Sequence, residues 1–223
     1  MSISQKVSLA LLGTSIVFMS ANPASAISLT KGGSTLVSGE GQYTNIQGAT
    51  TINFNDGVAP SSGLVTYSAN TQIVQGNKSG EYATPFGNTS KYLTVSPNTG
   101  NVTINFAAAL DYFGFYWGSI DTYNFVDVYS GGSLIKTFSG ADVPGAPANG
   151  EQSGNVNNVY VNLLGGQGET FDKVVFRSTG FAFENDNHSY RLATVPEPTT
   201  ILGLLAFGAL GGGSLLKRKS KMA

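Results

Sequence analysis

The chain has no cysteine, one histidine and one tryptophan in 223 residues, and only 11% of it is charged. Without cysteine there is no disulfide framework and no thiolate metal site. A single histidine, His188, leaves no cluster for a catalytic zinc, and no Gly-x-Ser-x-Gly elbow marks a hydrolase nucleophile. No repeat of fixed period is present, which disfavours a solenoid or propeller. Between residues 27 and 194 no window sustains a helical period, although Ala107 to Leu110 has room for one turn. That stretch carries seven Lys and Arg against twelve Asp and Glu, an excess of five negative charges that the whole-chain balance of −1 conceals. A mildly acidic, Gly- and Asn-rich surface excludes nucleic acid, whose phosphates demand clustered cations.

What is present begins at the two ends. Lys6 is followed by an apolar run, Val7 to Met19, and then by Ala24-Ser25-Ala26. A positive residue, a short apolar core and a small-x-small site read as a cleavable signal peptide over 1–26. Cut by signal peptidase after Ala26, the mature chain starts at Ile27. At the other end, Val195-Pro196-Glu197-Pro198 precedes Thr199 to Leu216, which is 18 residues without a charge. As a helix that run rises about 27 Å, close to the hydrocarbon thickness of a bilayer. Lys217, Arg218, Lys219 and Lys221 follow and hold their flank on the cytoplasmic side.

These C-terminal parts, in this order, resemble the PEP-CTERM sorting signal of Gram-negative bacteria. The resemblance implies that exosortase, a membrane-embedded transpeptidase-like enzyme, recognises Pro196, Glu197 and Pro198 and cleaves the tail during export. The segment 195–223 is then the sorting signal, with its motif at 195–198, a single transmembrane helix at 199–216 and a basic tail at 217–223. Before processing, that helix tethers the protein to the inner membrane. Afterwards the protein resides at the cell surface or outside the cell.

Residues 27–194 have the size of one domain, long enough to bury roughly 70% of the unfolded chain's surface without covalent staples. Their pattern is that of strands. Thr51 to Asn55, Val102 to Phe106 and Val159 to Leu163 alternate polar with apolar. Further β-rich runs are Leu64 to Tyr67, Thr71 to Val74, Tyr92 to Val95, Phe113 to Trp117, Phe125 to Tyr129, Leu134 to Phe138, Lys173 to Arg177 and Phe181 to Phe183. Turn sequences such as Asn55-Asp56-Gly57 and Ser130-Gly131-Gly132 separate them. Many short strands with frequent turns predict an all-β, antiparallel β-sandwich, jelly-roll-like in form. Gly140 to Asn158, with Pro144, Pro147 and three glycines, reads as a long loop.

The densest chemistry lies in Asp111 to Asn124, which holds the only tryptophan. Phe113, Phe115 and Trp117 share one strand face and are expected to fill the core. Tyr112 and Tyr116 point the other way. With Asp121 and Asn124, which otherwise cap the following turn, they are the candidate glycan-binding residues, since rings stack on sugars while a carboxylate and an amide fix hydroxyls. A second motif, Phe181 to Asn187, offers Glu184 and Asp186. With Asp56 and Asn55 these supply the oxygen ligands that a structural Ca²⁺ prefers, the alternative being a polar strand end with Asp186-Asn187 as a turn. His188, beside the spacer to the membrane, reads as solvated.

The two stretches Phe113 to Asn124 and Phe181 to Asn187, followed by Pro196 to Pro198, resemble a group of exosortase-dependent surface proteins. That resemblance implies residence at the cell surface or in the extracellular matrix. The leading expectation is a non-catalytic surface or matrix protein without a cofactor, structural Ca²⁺ aside. The alternatives are a carbohydrate-binding module acting on exopolysaccharide and a hydrolase of surface glycans.

Overall fold

The computed structural model describes residues 27–166 and 168–194. The expected signal peptide with Ala24 and Ala26, and the sorting segment 195–223, lie outside the described residues. Among the described residues no helix is long and apolar enough to cross a membrane.

The fold is all-β, and every paired strand runs antiparallel to its neighbour. In chain order the strands are β1 (Ser28–Lys31), β2 (Ser34–Val37), β3 (Gly41–Thr44), β4 (Thr50–Ile52), β5 (Val65–Tyr67), β6 (Gln72–Val74) and β7 (Tyr92–Val95). Then come β8 (Val102–Gly118), β9 (Asn124–Ser130), β10 (Ser133–Ser139), β11 (Val159–Leu164), β12 (Phe171–Ser178) and β13 (Phe183–Leu192). The expected loop between β10 and β11 is present, opening with a single 3-10 turn at Gly140–Asp142.

The architecture turns on β8. The two runs that read as separate strands, and the stretch between them at Ala107 to Leu110 that had room for one helical turn, form one strand of 17 residues. Its first half pairs with β12 and β5, its second half with β11 and β13. The register slips on both flanks at Leu110, which faces Phe171 on one side and Leu192 on the other. Such an irregularity increases local twist, so one strand leaves one layer and enters the next. The result is a sheet folded over on itself. One layer is β10-β9-β12 with the first half of β8 and β5; the other is β1-β11, the second half of β8, β13, β7 and β6, with β4 also on β13.

The core lies between these layers, as period-two patterning demands. Phe176 of β12 reaches across to Phe115 of β8 (ring centroids 4.9 Å), Phe183 of β13 (5.0 Å) and His188 of β13 (5.2 Å). Trp117 stacks on Phe183 at 4.6 Å. Phe113, Phe115 and Trp117 are thus core residues, as expected. Val102, Ile104, Val126, Val128, Val161 and Leu163 complete the interior.

A further cover lies on the outer side of the second layer. The β2–β3 hairpin and residues 82–90 close over β8 and β13 there. Asn187 Nδ2 donates to the carbonyls of Glu40 (2.6 Å) and Gln42 (3.0 Å), and Asn88 Nδ2 donates to Asp186 Oδ2 (2.6 Å). A Cβ on Gly118 would lie 2.8 Å from Pro85, so only glycine admits this approach.

Candidate functional site

The cover decides the fate of the expected site residues. Tyr112 and Tyr116 do point away from the core, but they are fully buried beneath it. The Tyr112 hydroxyl is 2.7 Å from Thr44 Oγ1 and donates to Asn162 Oδ1 at 3.0 Å, and that of Tyr116 donates to the Phe86 carbonyl at 2.5 Å. Neither ring is a ligand platform, because this sheet face meets protein instead of water. Asn124 is also fully buried. Its backbone N–H closes the Asp121–Asn124 turn at 3.3 Å. Its side chain donates to the Ala182 carbonyl (3.2 Å) and accepts from Ser178 Oγ (2.7 Å), tying β9 to the entry of β13. Of the four candidates, only Asp121 keeps access to solvent.

The second motif is corrected more deeply. Asp186-Asn187 is not a turn at the end of a strand, because β13 runs on to Leu192. Asn187 takes φ +51° where the β8–β13 register slips, so a bulge carries the polar run through the sheet. Every residue from Glu184 to Ser189 is at most 2% exposed. His188 is not solvated: its Nδ1 is 2.8 Å from the Tyr67 hydroxyl and its Nε2 2.7 Å from Asn185 Oδ1. Phe54 and Phe113 contact the ring edge-on. Burial pulls its pKa down to about 3, so the neutral ring accepts at one nitrogen and donates at the other.

The calcium ligands do not assemble. Asp56 sits at the surface with its carboxylate on the Val58 N–H, 2.9 Å, and Asn55 donates to Glu40 at 3.1 Å. Asp186 accepts from Asn88 and from the Asn187 N–H (2.8 Å), and burial pushes it up to about 8. Among the described residues no group of three or more His, Asp or Glu side chains is placed to hold a metal.

Two expected residues from different motifs do come together. Asp121 and Glu184 line one cleft of about 420 Å³, where the end of β8, the β8–β9 turn, the segment 77–83 and the entry to β13 converge. Glu184 lies on its floor, 2% exposed. Its Oε1 accepts from the Ala83 N–H (2.8 Å) and its Oε2 from the Ser119 hydroxyl (2.5 Å). Burial pushes its pKa up to about 7, and the neighbouring Asp121 charge adds to the rise. Asp121 itself is raised by burial and lowered by the nearby Tyr123 hydroxyl. That phenol also lies 2.9 Å from the Phe181 carbonyl, and its single proton serves one acceptor at a time. Gly150, at φ +71°, passes so close that a Cβ would lie 2.5 Å from Asp121 Oδ2. At the rim, Lys78 and Glu81 pair at 2.6 Å.

Sequence reasoning missed Ser119, Tyr82 and the cleft itself. Alternation from Phe183 does place Glu184 on the outer face. Its neighbours there depend on pairing between β7, β8 and β13, which no local pattern encodes.

Residues 194–219 match the PEP-CTERM protein-sorting motif. No curated protein matches the chain. The motif implies export, anchoring at the membrane before processing, and exosortase as the processing partner. Such a motif is the mark of exosortase-sorted, exported proteins.

Proposed function

We propose that the chain is a non-catalytic protein of the cell surface or extracellular matrix, delivered there by removal of both terminal signals. The observation that carries this reading is the position of the sorting motif. Its match begins at Thr194, two residues after the last strand ends at Leu192, so the domain is cargo joined almost directly to its address. Signal peptidase acting at Ala24-Ser25-Ala26 then frees a chain that starts at Ile27, which is already a core residue. The inner membrane is the transient tether, through residues 199–216. A non-catalytic role is supported by His188, the sole histidine, whose two ring nitrogens are both engaged inside the core.

The test is to change Pro196-Glu197-Pro198 to alanines and follow mass and location by fractionation and blotting. The wild-type chain should appear outside the inner membrane at reduced mass, and the variant should stay in that membrane uncleaved. Equal mass and location for both would make 199–216 a permanent anchor and overturn delivery by processing.

A further inference from the structure

Delivery by the terminal signals leaves the cleft around Asp121 and Glu184 without a role, and its chemistry selects among ligands. Its volume of about 420 Å³ falls within the range of small-molecule sites. Its charge is weighted to one sign. Lys78 is already paired with Glu81, which leaves Asp121 without a cation among the cleft's side chains. A phosphate or a uronate would meet three carboxyl groups against one cation, Lys78, itself paired with Glu81, which disfavours it by like-charge repulsion. The cleft's three carboxylates, Glu81, Asp121 and Glu184, do not converge as the ligand set of a divalent ion.

What remains is a neutral ligand rich in groups that both donate and accept. Asp121 offers acceptor oxygens, and the Gln152 amide at the rim offers donors. On the floor, Ser119 and Glu184 share one short hydrogen bond and keep further lone pairs. The rings of Tyr82, Tyr123 and Phe181 supply apolar surface, and Phe181 is 45% exposed at the rim. Hydroxyls on one edge and C–H groups on one face are the two surfaces of a pyranose or furanose ring. We propose that this cleft binds a neutral saccharide, with Asp121 and the Ser119–Glu184 pair taking hydroxyls and Tyr82, Tyr123 and Phe181 taking the C–H face. The proposal rests on the reading of a non-catalytic surface protein, and it moves the ligand site from the buried Tyr112 and Tyr116 to the opposite end of the same motif.

The test uses the full chain in a detergent without sugar head groups, applied to an array of neutral and uronic oligosaccharides. The strongest neutral binder is then titrated calorimetrically. Neutral saccharides should bind and uronates should not. Asp121→Ala and Tyr82→Ala should each weaken binding about tenfold or more, the scale of one lost charged hydrogen bond or one lost ring contact. Tyr129→Ala, on β9 under Lys173, should leave affinity unchanged. If Asp121→Ala lowers the melting temperature, Gln152→Ala and Phe181→Ala at the rim carry the same comparison. No retention of any neutral saccharide at millimolar concentration, or affinity indifferent to all the cleft variants, would overturn the proposal. So would preferential binding of uronates or of Ca²⁺. Release of shorter oligosaccharides, abolished by Asp121→Ala, would uphold the cleft as the saccharide site while overturning the non-catalytic reading. Fractionation of the sorting-motif variant is independent of every one of these outcomes.

Discussion

β12 and β13 flank the same strand, β8, and their sequences follow opposite rules. Over its eight residues β12 alternates: Phe171, Val174, Phe176 and Ser178 are buried, while Lys173, Val175 and Arg177 are half-exposed. Over its ten residues β13 is buried on both faces from Phe183 to Ser189, yet six of those seven residues are polar. The difference lies in what covers each strand. β12 has water on its outer face, so hydropathy alone fixes its side chains. β13 has the β2–β3 hairpin and residues 82–90 on its outer face, and there hydrogen-bond complementarity takes over from hydropathy. Buried polar groups tolerate such a place only when paired. Asp186 with Asn88 and Glu184 with Ser119 meet that condition under the cover, and on the core face His188 meets it between Tyr67 and Asn185.

An alanine scan along both strands tests the contrast. The largest effect is expected at Phe176→Ala, which should lose about 3–5 kcal/mol in a denaturant melt, as large aromatic truncations in packed cores do. A loss below about 1 kcal/mol would mean that the two layers do not close over that ring.

The next effect is a pH dependence confined to β13. Glu184 holds its proton more tightly folded than unfolded. Its contribution is therefore fully present below the unfolded value of 4.5 and is lost as pH rises through about 7. Asp186 acts with the same sign up to about 8. His188 acts with the opposite sign: its contribution is present above 6.5 and lost as pH falls toward about 3. Stability should therefore decline from mildly acidic to alkaline pH. Glu184→Gln should remove about 3 kcal/mol of that decline, at about 1.36 kcal/mol for each unit of the shift. The amide fits, because the Ser119 hydroxyl rotates to accept where it had donated. Val175→Ala on β12 should leave the slope untouched. A flat wild-type profile between about pH 5 and pH 9 would contradict the burial of both carboxyls.

Asn187→Ala should cost about 1–3 kcal/mol, since the carbonyls of Glu40 and Gln42 lose their donor under the cover. Asn187→Gly, which accepts φ +51° without strain, should cost nearly as much if those bonds dominate and much less if backbone strain does. Smallest of all, Lys173→Ala on the outer face of β12 should cost under about 1 kcal/mol and fade with salt, despite its place 4.1 Å over the Tyr129 ring.

The same contrast explains what was legible in the sequence. Val102 to Phe106 and Val159 to Leu163 announce themselves by alternation, Lys173 to Arg177 and Phe125 to Tyr129 by their β-rich composition, and each lies within a strand. The all-β class followed from these and from the turns between them. Glu184 to Ser189 carries no periodic signal, so a central strand read as a polar strand end. The fusion of two runs into β8 escaped because Ala107-Ala108-Ala109 has no strand preference of its own and is held by its neighbours. For the site, Asp121 was legible as a polar residue after an aromatic cluster. Tyr112, Tyr116 and Asn124 were misplaced because alternation tells which face a residue occupies, not whether a second layer covers that face.

The position of β13 also sets how the domain bears force. While the C-terminal tail is anchored, a pull on the domain enters at Thr194, two residues beyond the end of β13, and can load that strand along its axis. That strand is hydrogen-bonded to β8 on one side and to β7 and β4 on the other. A load in that direction shears both ladders at once, so many bonds must break together and none can peel open singly. The edge strand β10, bonded to β9 alone, would unzip one pair at a time under a pull across it. Until the tail is processed, a domain held through a strand paired on both sides resists tension applied along that strand.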